Sequence, residues 1–429
     1  MTTSTSWWAC AVGAGLGFTL LAGPASADFI ADGKGRLELR NFYFSRDFRD
    51  GFPSQSKREE WAQGLILDWK SGFTPGPLGF GLDAIGMLGL KLDSSPDRSG
   101  TGLLPRDAEG RAFDDYSKML LTAKVRFARS ELRYGGLNPV LPLLASNNSR
   151  LLPQYFEGGQ LTSRDIGDFT VHVGRVDKVK QRDSADSEDL TTMAQVGAWS
   201  TAIHSDSYSY GGVDYQPMAD LTLSAHASEL EDFYRRTYLG LKYSLPLGPG
   251  KAFTEIRHFT ARETGAALVG EVDNRVISSN FGYQLGGHRF SGGYQKVAGD
   301  TAYAYLGGTD TYLFSEQQAY TFSLQDERAW HARYDYDFAA MGLPGLTFTL
   351  RYVKGDDVDV SHVSTRKAAL LRAAGEDGRE WERTTDLAYV VQSGPLKNLG
   401  LRWRNATARS SLQDGVDENR VIVSYEIGF

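Results

Sequence analysis

Arg402 and Arg404 stand two residues apart, with Leu401 before them and Trp403 between them. On an extended strand that spacing puts both guanidinium groups on one face and both apolar side chains on the other. The same alternation surrounds Lys124, Arg126, Arg133, Arg351 and Arg420. Guanidinium groups carry a fixed charge, and their fork matches a carboxylate. A row of such side chains is chemistry for passing an anion, not for breaking a bond. The polar face of a strand carries charges in many settings, so some of these cations serve only as partners for neighbouring carboxylates.

Bond-breaking candidates are few. Ser205 lies beside His204, but no third group completes a nucleophilic triad. The seven histidines are scattered with no i, i+4 pair, and the expectation is no metal and no cofactor. Asp356, Asp357 and Asp359 read as a solvated acidic loop tip. Gly13, Gly15 and Gly17 fall in an apolar leader and make no phosphate loop. The reading is of a protein that is not an enzyme; a barrel-borne phospholipase or protease is the remote alternative. A net charge of -7 excludes a basic nucleic-acid surface.

The elements that must carry the arginines are strands. Period-2 alternation runs through Leu37 and Leu39, through Leu121, Ala123, Val125 and Phe127, and through Leu346, Phe348 and Leu350. Val421, Val423, Tyr425, Ile427 and Phe429 repeat it at the end. The 21 tyrosines and 22 phenylalanines suit strands and interface girdles. Beyond the first thirty residues no stretch is apolar for the ~18 residues a helical span needs.

Residues 1–27 read as an export signal, with an apolar core from Trp7 to Ala22 and a small-residue cleavage site at Ala25-Ser26-Ala27. Met1 to Ser6 contains no Lys or Arg, a departure from the usual pattern. Cys10, the one cysteine, lies in that segment, so residues 28–429 form no disulfide or thiolate site.

Turn lengths decide between a soluble sandwich and a membrane barrel. Eight short turns fall at Pro75-Gly76-Pro77, Arg129-Ser130, Ile166-Gly167-Asp168, Pro217 to Asp220, Gly248-Pro249-Gly250, Gly286-Gly287, Gly342 to Gly345 and Gly394 to Asn398. Between them lie long polar segments, among them Asp93 to Asp115, Asn138 to Glu157, Asp177 to Ser205, Gly299 to Glu327 and Gly355 to Glu382. Short turns on one rim and long loops on the other describe an outer-membrane barrel. Eight turns join sixteen strands. A first strand near Lys34 to Ser45 and a last near Asn419 to Phe429 make eighteen, with both chain ends on the short-turn side. A barrel of that size encloses an aqueous channel. The expected fold is therefore one all-β, antiparallel, transmembrane barrel over residues 28–429. The closing strand ending in Phe429 looks like the signal read by the outer-membrane assembly machinery.

The strings LRNFYFSRDFRD (Leu39 to Asp50), SKREEWAQGLILD (Ser56 to Asp68), GLKLDSSPDRSGTGLLP (Gly89 to Pro105), SRLLPQ (Ser149 to Gln154) and PGLTFTLRYVKGDD (Pro344 to Asp357) resemble the OprD family of substrate-specific outer-membrane channels. The resemblance runs from about Phe29 to Phe429. It implies an eighteen-strand porin of a Gram-negative outer membrane, set in lipid and lipopolysaccharide, working as a monomer or loose homotrimer. It implies inward-folded third and seventh loops, a ladder of basic side chains and an electronegative pocket at the constriction. Its substrates are small carboxylate-bearing solutes. On it, Lys124, Arg126, Arg133, Arg351, Arg402, Arg404 and Arg420 are the candidate ladder, and Ser149, Arg150, Tyr305 and Asp310 the candidate constriction. The stretch RDSADSEDLTTM (Arg182 to Met193) has no tyrosine where the amino-acid branch tends to have one. This favours aromatic or other organic acids over basic amino acids and dipeptides.

Overall fold

A computed structural model describes residues 29–429, so the expected export segment 1–27 lies outside the described residues. The strands run from β1 (Lys34–Phe48) to β20 (Val416–Gly428), and eighteen of them form one antiparallel sheet. The other two, β6 (Val140–Leu141) and β7 (Leu144–Ala145), pair with each other inside a loop, apart from the wall. Each wall strand pairs with its sequence neighbour. β1 also pairs with β20, from Arg36 opposite Gly428 to Phe48 opposite Val416, which closes the sheet. Closure leaves no backbone edge unpaired, the condition for a sheet to stand in hydrocarbon.

The alternation settles which face is outside. On β19 (Leu399–Ser410), Leu401 and Trp403 are 45% and 42% exposed on the outer surface. On β4 (Asp115–Phe127), Met119 and Leu121 point outward while Lys118, Leu120, Thr122 and Lys124 are buried inside. On β17 (Leu346–Val358), Leu350 and Tyr352 flank inward Arg351. Large apolar side chains on the outside of a closed barrel meet lipid, and their polar neighbours line the bore.

The eight turns read from the sequence all join strands at one rim; the tightest are residues 128–129, 219–220, 248–249 and 286–287. Gly248 and Gly286 take φ of 58° and 55°, which a two-residue hairpin of the primed type requires. The opposite rim is less uniform than expected. Residues 94–114, 138–154, 181–207, 299–327 and 359–377 are long, but 231–233 and 411–415 turn the chain in a few residues. Asp232, at φ 60°, makes the first of these possible.

The long loops supply the core. Leu103, Leu104, Leu151 and Leu152 fold inward and pack on Phe42, Phe44, Ile66, Ile85 and Leu120 of the wall. Leu143, Tyr303, Tyr305 and Leu313 pack on Tyr238, Phe259, Val276 and Val297. These loop side chains exclude water from the upper bore and narrow it. That explains why residues 138–154 are leucine-rich despite being a loop.

Candidate functional site

The third loop, 138–154, is held against β1 and β2 (Lys57–Lys70). Arg40 on β1 donates from Nη1 to the carbonyls of Arg150 and Leu151, at 2.8 and 3.1 Å. Gly64 on β2 leaves room for the loop, since a Cβ there would stand 3.2 Å from Leu151 Cδ1 and 3.4 Å from its carbonyl. The seventh loop, 299–327, docks on the third through the Asp310 N–H, which donates to the Ala145 carbonyl at 3.0 Å. It docks on the fourth loop through Met193 N–H to Tyr305 O at 3.0 Å and Gly307 N–H to Thr191 O at 2.7 Å. Arg236, almost wholly buried, donates to the Tyr303 hydroxyl.

Where the three loops meet the wall there is a chamber of about 320 Å³. Five arginines line it: Arg150, Arg182, Arg351, Arg404 and Arg420, together with the carboxyl groups of Asp310 and Glu316 and the hydroxyls of Ser149 and Tyr305. Arg404 and Arg420 come from adjacent strands and are register partners. Arg404 Nε lies 2.8 Å from Asp386 Oδ2. Arg420 donates from Nε to Glu418 at 2.5 Å, and Glu418 also receives Arg46 at 2.6 Å. Arg351 donates to the carbonyl of Phe314 in the seventh loop. Arg150 and Arg182 donate to one oxygen, Ser149 Oγ, at 3.0 and 3.2 Å, and Arg150 also donates from Nε to Thr101 O at 3.1 Å.

The loop charges are strained by burial. Burial pushes the Arg150 guanidinium well down, and Arg420 and Arg182 add repulsion. Burial also lowers Arg182. Burial raises Asp310 to about 6 against the pull of Arg182 and Arg150. Burial and then Asp310 itself raise Glu316 to about 7, although Thr311 donates to its carboxyl from N–H and Oγ1 at 2.9 and 2.7 Å. A buried guanidinium in this position gains by acquiring an anion.

Of the residues singled out from sequence, Ser149, Arg150, Tyr305, Asp310, Arg351, Arg404 and Arg420 share this chamber. The other four lie elsewhere. Lys124 and Arg133 converge on Asp83, at 2.7 and 2.6 Å, and Lys124 also donates to the Ser71 carbonyl at 2.8 Å. Arg126 lies 4.4 Å over the ring of Phe73. Ser71 and Phe73 belong to the turn between β2 and β3 (Leu78–Asp93), so this trio stands at the short-turn rim. Arg402 is one step nearer that rim than Arg404 and pairs with Asp386 at 2.5 Å. The seven predicted cations thus gather around the chamber and around Asp83, with Arg402 joined to Arg404 through Asp386.

Arg182 and Glu316 were missed in the sequence. Both are loop residues, and only docking of the loops turns them inward. Ser205 is buried and gives its hydroxyl to the Glu231 carbonyl at 2.7 Å, so it is engaged with backbone rather than with His204. Asp356 and Asp357 pair with Lys354 and Arg328, at 2.7 and 3.0 Å.

Comparison with known proteins agrees with this architecture. The profile of the family described as outer membrane porin, OprD family, matches residues 27–429. The chain is 37% identical over 403 residues to the porin-like protein GalP of Pseudomonas putida, covering 93% of each. The crystal structure of Pseudomonas aeruginosa OccK9 (OpdG) superposes with a TM-score of 0.87 at 46% identity, over 94% of this chain and 100% of that one. That of Pseudomonas aeruginosa OpdK with vanillate gives 0.85 at 38% identity, over the same shares. The relatives are porins, which are channels rather than enzymes. The closed eighteen-strand antiparallel barrel matches those structures, and the chain belongs to the OprD family of substrate-specific porins of the Gram-negative outer membrane.

Proposed function

We propose that this channel passes small organic acids, aromatic ones included, in preference to basic amino acids. The observation that carries this reading is the composition of the chamber, in which five arginines face two carboxyl groups. A carboxylate entering a narrow bore loses hydration. Guanidinium forks offset that loss with charge-assisted bonds. Asp310 and Glu316 are the groups that would hold an ammonium, and burial has raised both toward neutrality. A cationic amino acid therefore gains less here than an anion does. OpdK, similar over nearly its whole length, has been crystallised with vanillate, an aromatic carboxylate.

In this reading Arg351, Arg404 and Arg420 receive the carboxylate, with Ser149, Arg150, Tyr305 and Asp310 shaping the constriction. Lys124, Arg126, Arg133 and Arg402 lead it toward the short-turn rim. Residues 1–27 would be the export signal removed from the working channel.

Swelling of liposomes holding the purified protein tests the proposal. Benzoate should enter faster than benzamide, its neutral isostere, and faster than lysine. Neutralising Arg402 and Arg404 to Gln should slow benzoate. Equal rates for benzoate and benzamide, or benzoate uptake that ignores the substitutions, would refute the assignment.

A further inference from the structure

Two guanidinium groups ordinarily avoid one another, yet Arg150 and Arg182 aim at the same hydroxyl. Their Nη1 atoms lie 3.0 and 3.2 Å from Ser149 Oγ. Among the described residues neither has a carboxylate within ion-pair distance, and Arg351 has none either; it is held by a main-chain carbonyl. Arg404 and Arg420, by contrast, are each matched by a wall carboxylate. The unmatched cations come from three separate segments: the third loop, the fourth loop and the wall. All three open onto the one chamber of about 320 Å³, a volume at the small end of ligand sites.

A lone hydroxyl between two guanidiniums supplies a single acceptor atom where a carboxylate would supply two. A carboxylate there could accept from both forks and still keep Ser149 as a donor. A second carboxylate on the same short skeleton could replace the Phe314 carbonyl as the partner of Arg351. We propose that the chamber is a two-point receptor for small dicarboxylates: one end is taken by Arg150 and Arg182 across Ser149, the other by Arg351. This rests on the carboxylate reading above and narrows it, and it gives Arg182 a direct part in recognition. Glu316 hangs from Thr311 close to the Arg351 end. When protonated it becomes a further donor for the second carboxylate rather than a repulsive neighbour.

Succinate and butyrate share four carbons and differ by one carboxylate. Their dissociation constants can be read from interruptions of single-channel current in planar bilayers. Succinate should bind about tenfold more tightly than butyrate, the ratio that one added charge-assisted contact of ~1.4 kcal/mol supplies. Arg351→Gln should bring the succinate constant up to that of butyrate. Arg182→Gln, in a loop that leaves the wall intact, should weaken both acids. Equal affinity of the two acids in the unaltered channel would overturn the two-point receptor and leave the carboxylate channel standing. A succinate preference that survives Arg351→Gln would also overturn it. No interruption by either acid would instead count against the carboxylate reading itself.

Discussion

The third loop helps to narrow the bore, and two leucines anchor its tip to the wall. Leu151 and Leu152 are each fully buried against Phe42, Phe44, Ile66 and Leu120. Truncating one buried leucine to alanine costs about 2–5 kcal/mol, so Leu151→Ala with Leu152→Ala removes ~4–10 kcal/mol from the docked loop. The loop keeps the bonds from Arg40 to the Arg150 and Leu151 carbonyls, about 1.5–3 kcal/mol each, the Asp310–Ala145 and Arg150–Thr101 bonds, and the packing of Leu143 and Leu144. The loss falls on the tip of the loop, where Leu151 and Leu152 meet the wall. Even the lower figure shifts the docked-to-undocked ratio by about a thousandfold. The barrel wall itself keeps every strand pairing. Single-channel recording should therefore show larger conductance with frequent excursions to a wide state, and neutral sugars should enter liposomes faster than through the unaltered channel. Unchanged conductance in a variant that still folds would refute the view that apolar docking of this loop sets the bore.

Two further perturbations address the same site. Gly64→Val adds methyls beyond a Cβ that already stands 3.2 Å from Leu151, whereas Gly86→Val meets nothing within 4 Å; only the former should lift the loop and raise conductance. As pH falls through 7 and then 6, Glu316 and Asp310 lose their charge, so anion preference measured by reversal potential should rise, and Asp310→Asn with Glu316→Gln should flatten the profile. Because these acids bind protons more tightly when folded than unfolded, their contribution to stability is full below their ordinary carboxyl range and is lost as pH rises from there through about 6 and 7, which thermal melts can follow.

The wall was legible because its signals are local. Gly248-Pro249-Gly250 announces a tight turn whatever lies around it, and Leu401-Arg402-Trp403-Arg404 states its two faces in four letters. The count of eighteen followed from such turns. The chamber was only partly legible. Strand parity places Arg351, Arg404 and Arg420 in the bore but is silent about height, so it grouped them with Lys124 and Arg133, which stand at the short-turn rim on Asp83. Arg182 and Glu316 lie in loops, where no period exists, and only tertiary docking points them inward. The same holds for Arg40 and Lys118, wall cations that grip loop carbonyls: Arg40 those of Arg150 and Leu151, Lys118 that of Arg182 at 3.2 Å. The short outer connection at 231–233 escaped notice because Glu231-Asp232-Phe233 carries neither glycine nor proline.

The arginine chamber is the centre of this account, and the charge carried through it is directly measurable. Across a bilayer with a gradient of potassium benzoate, the reversal potential reports which ion moves. A potential of the sign set by benzoate, moving toward zero when Arg404 and Arg420 are replaced by Gln, is the expected result. A potential set by potassium, or one indifferent to those two side chains, would contradict the claim that this bore selects carboxylates.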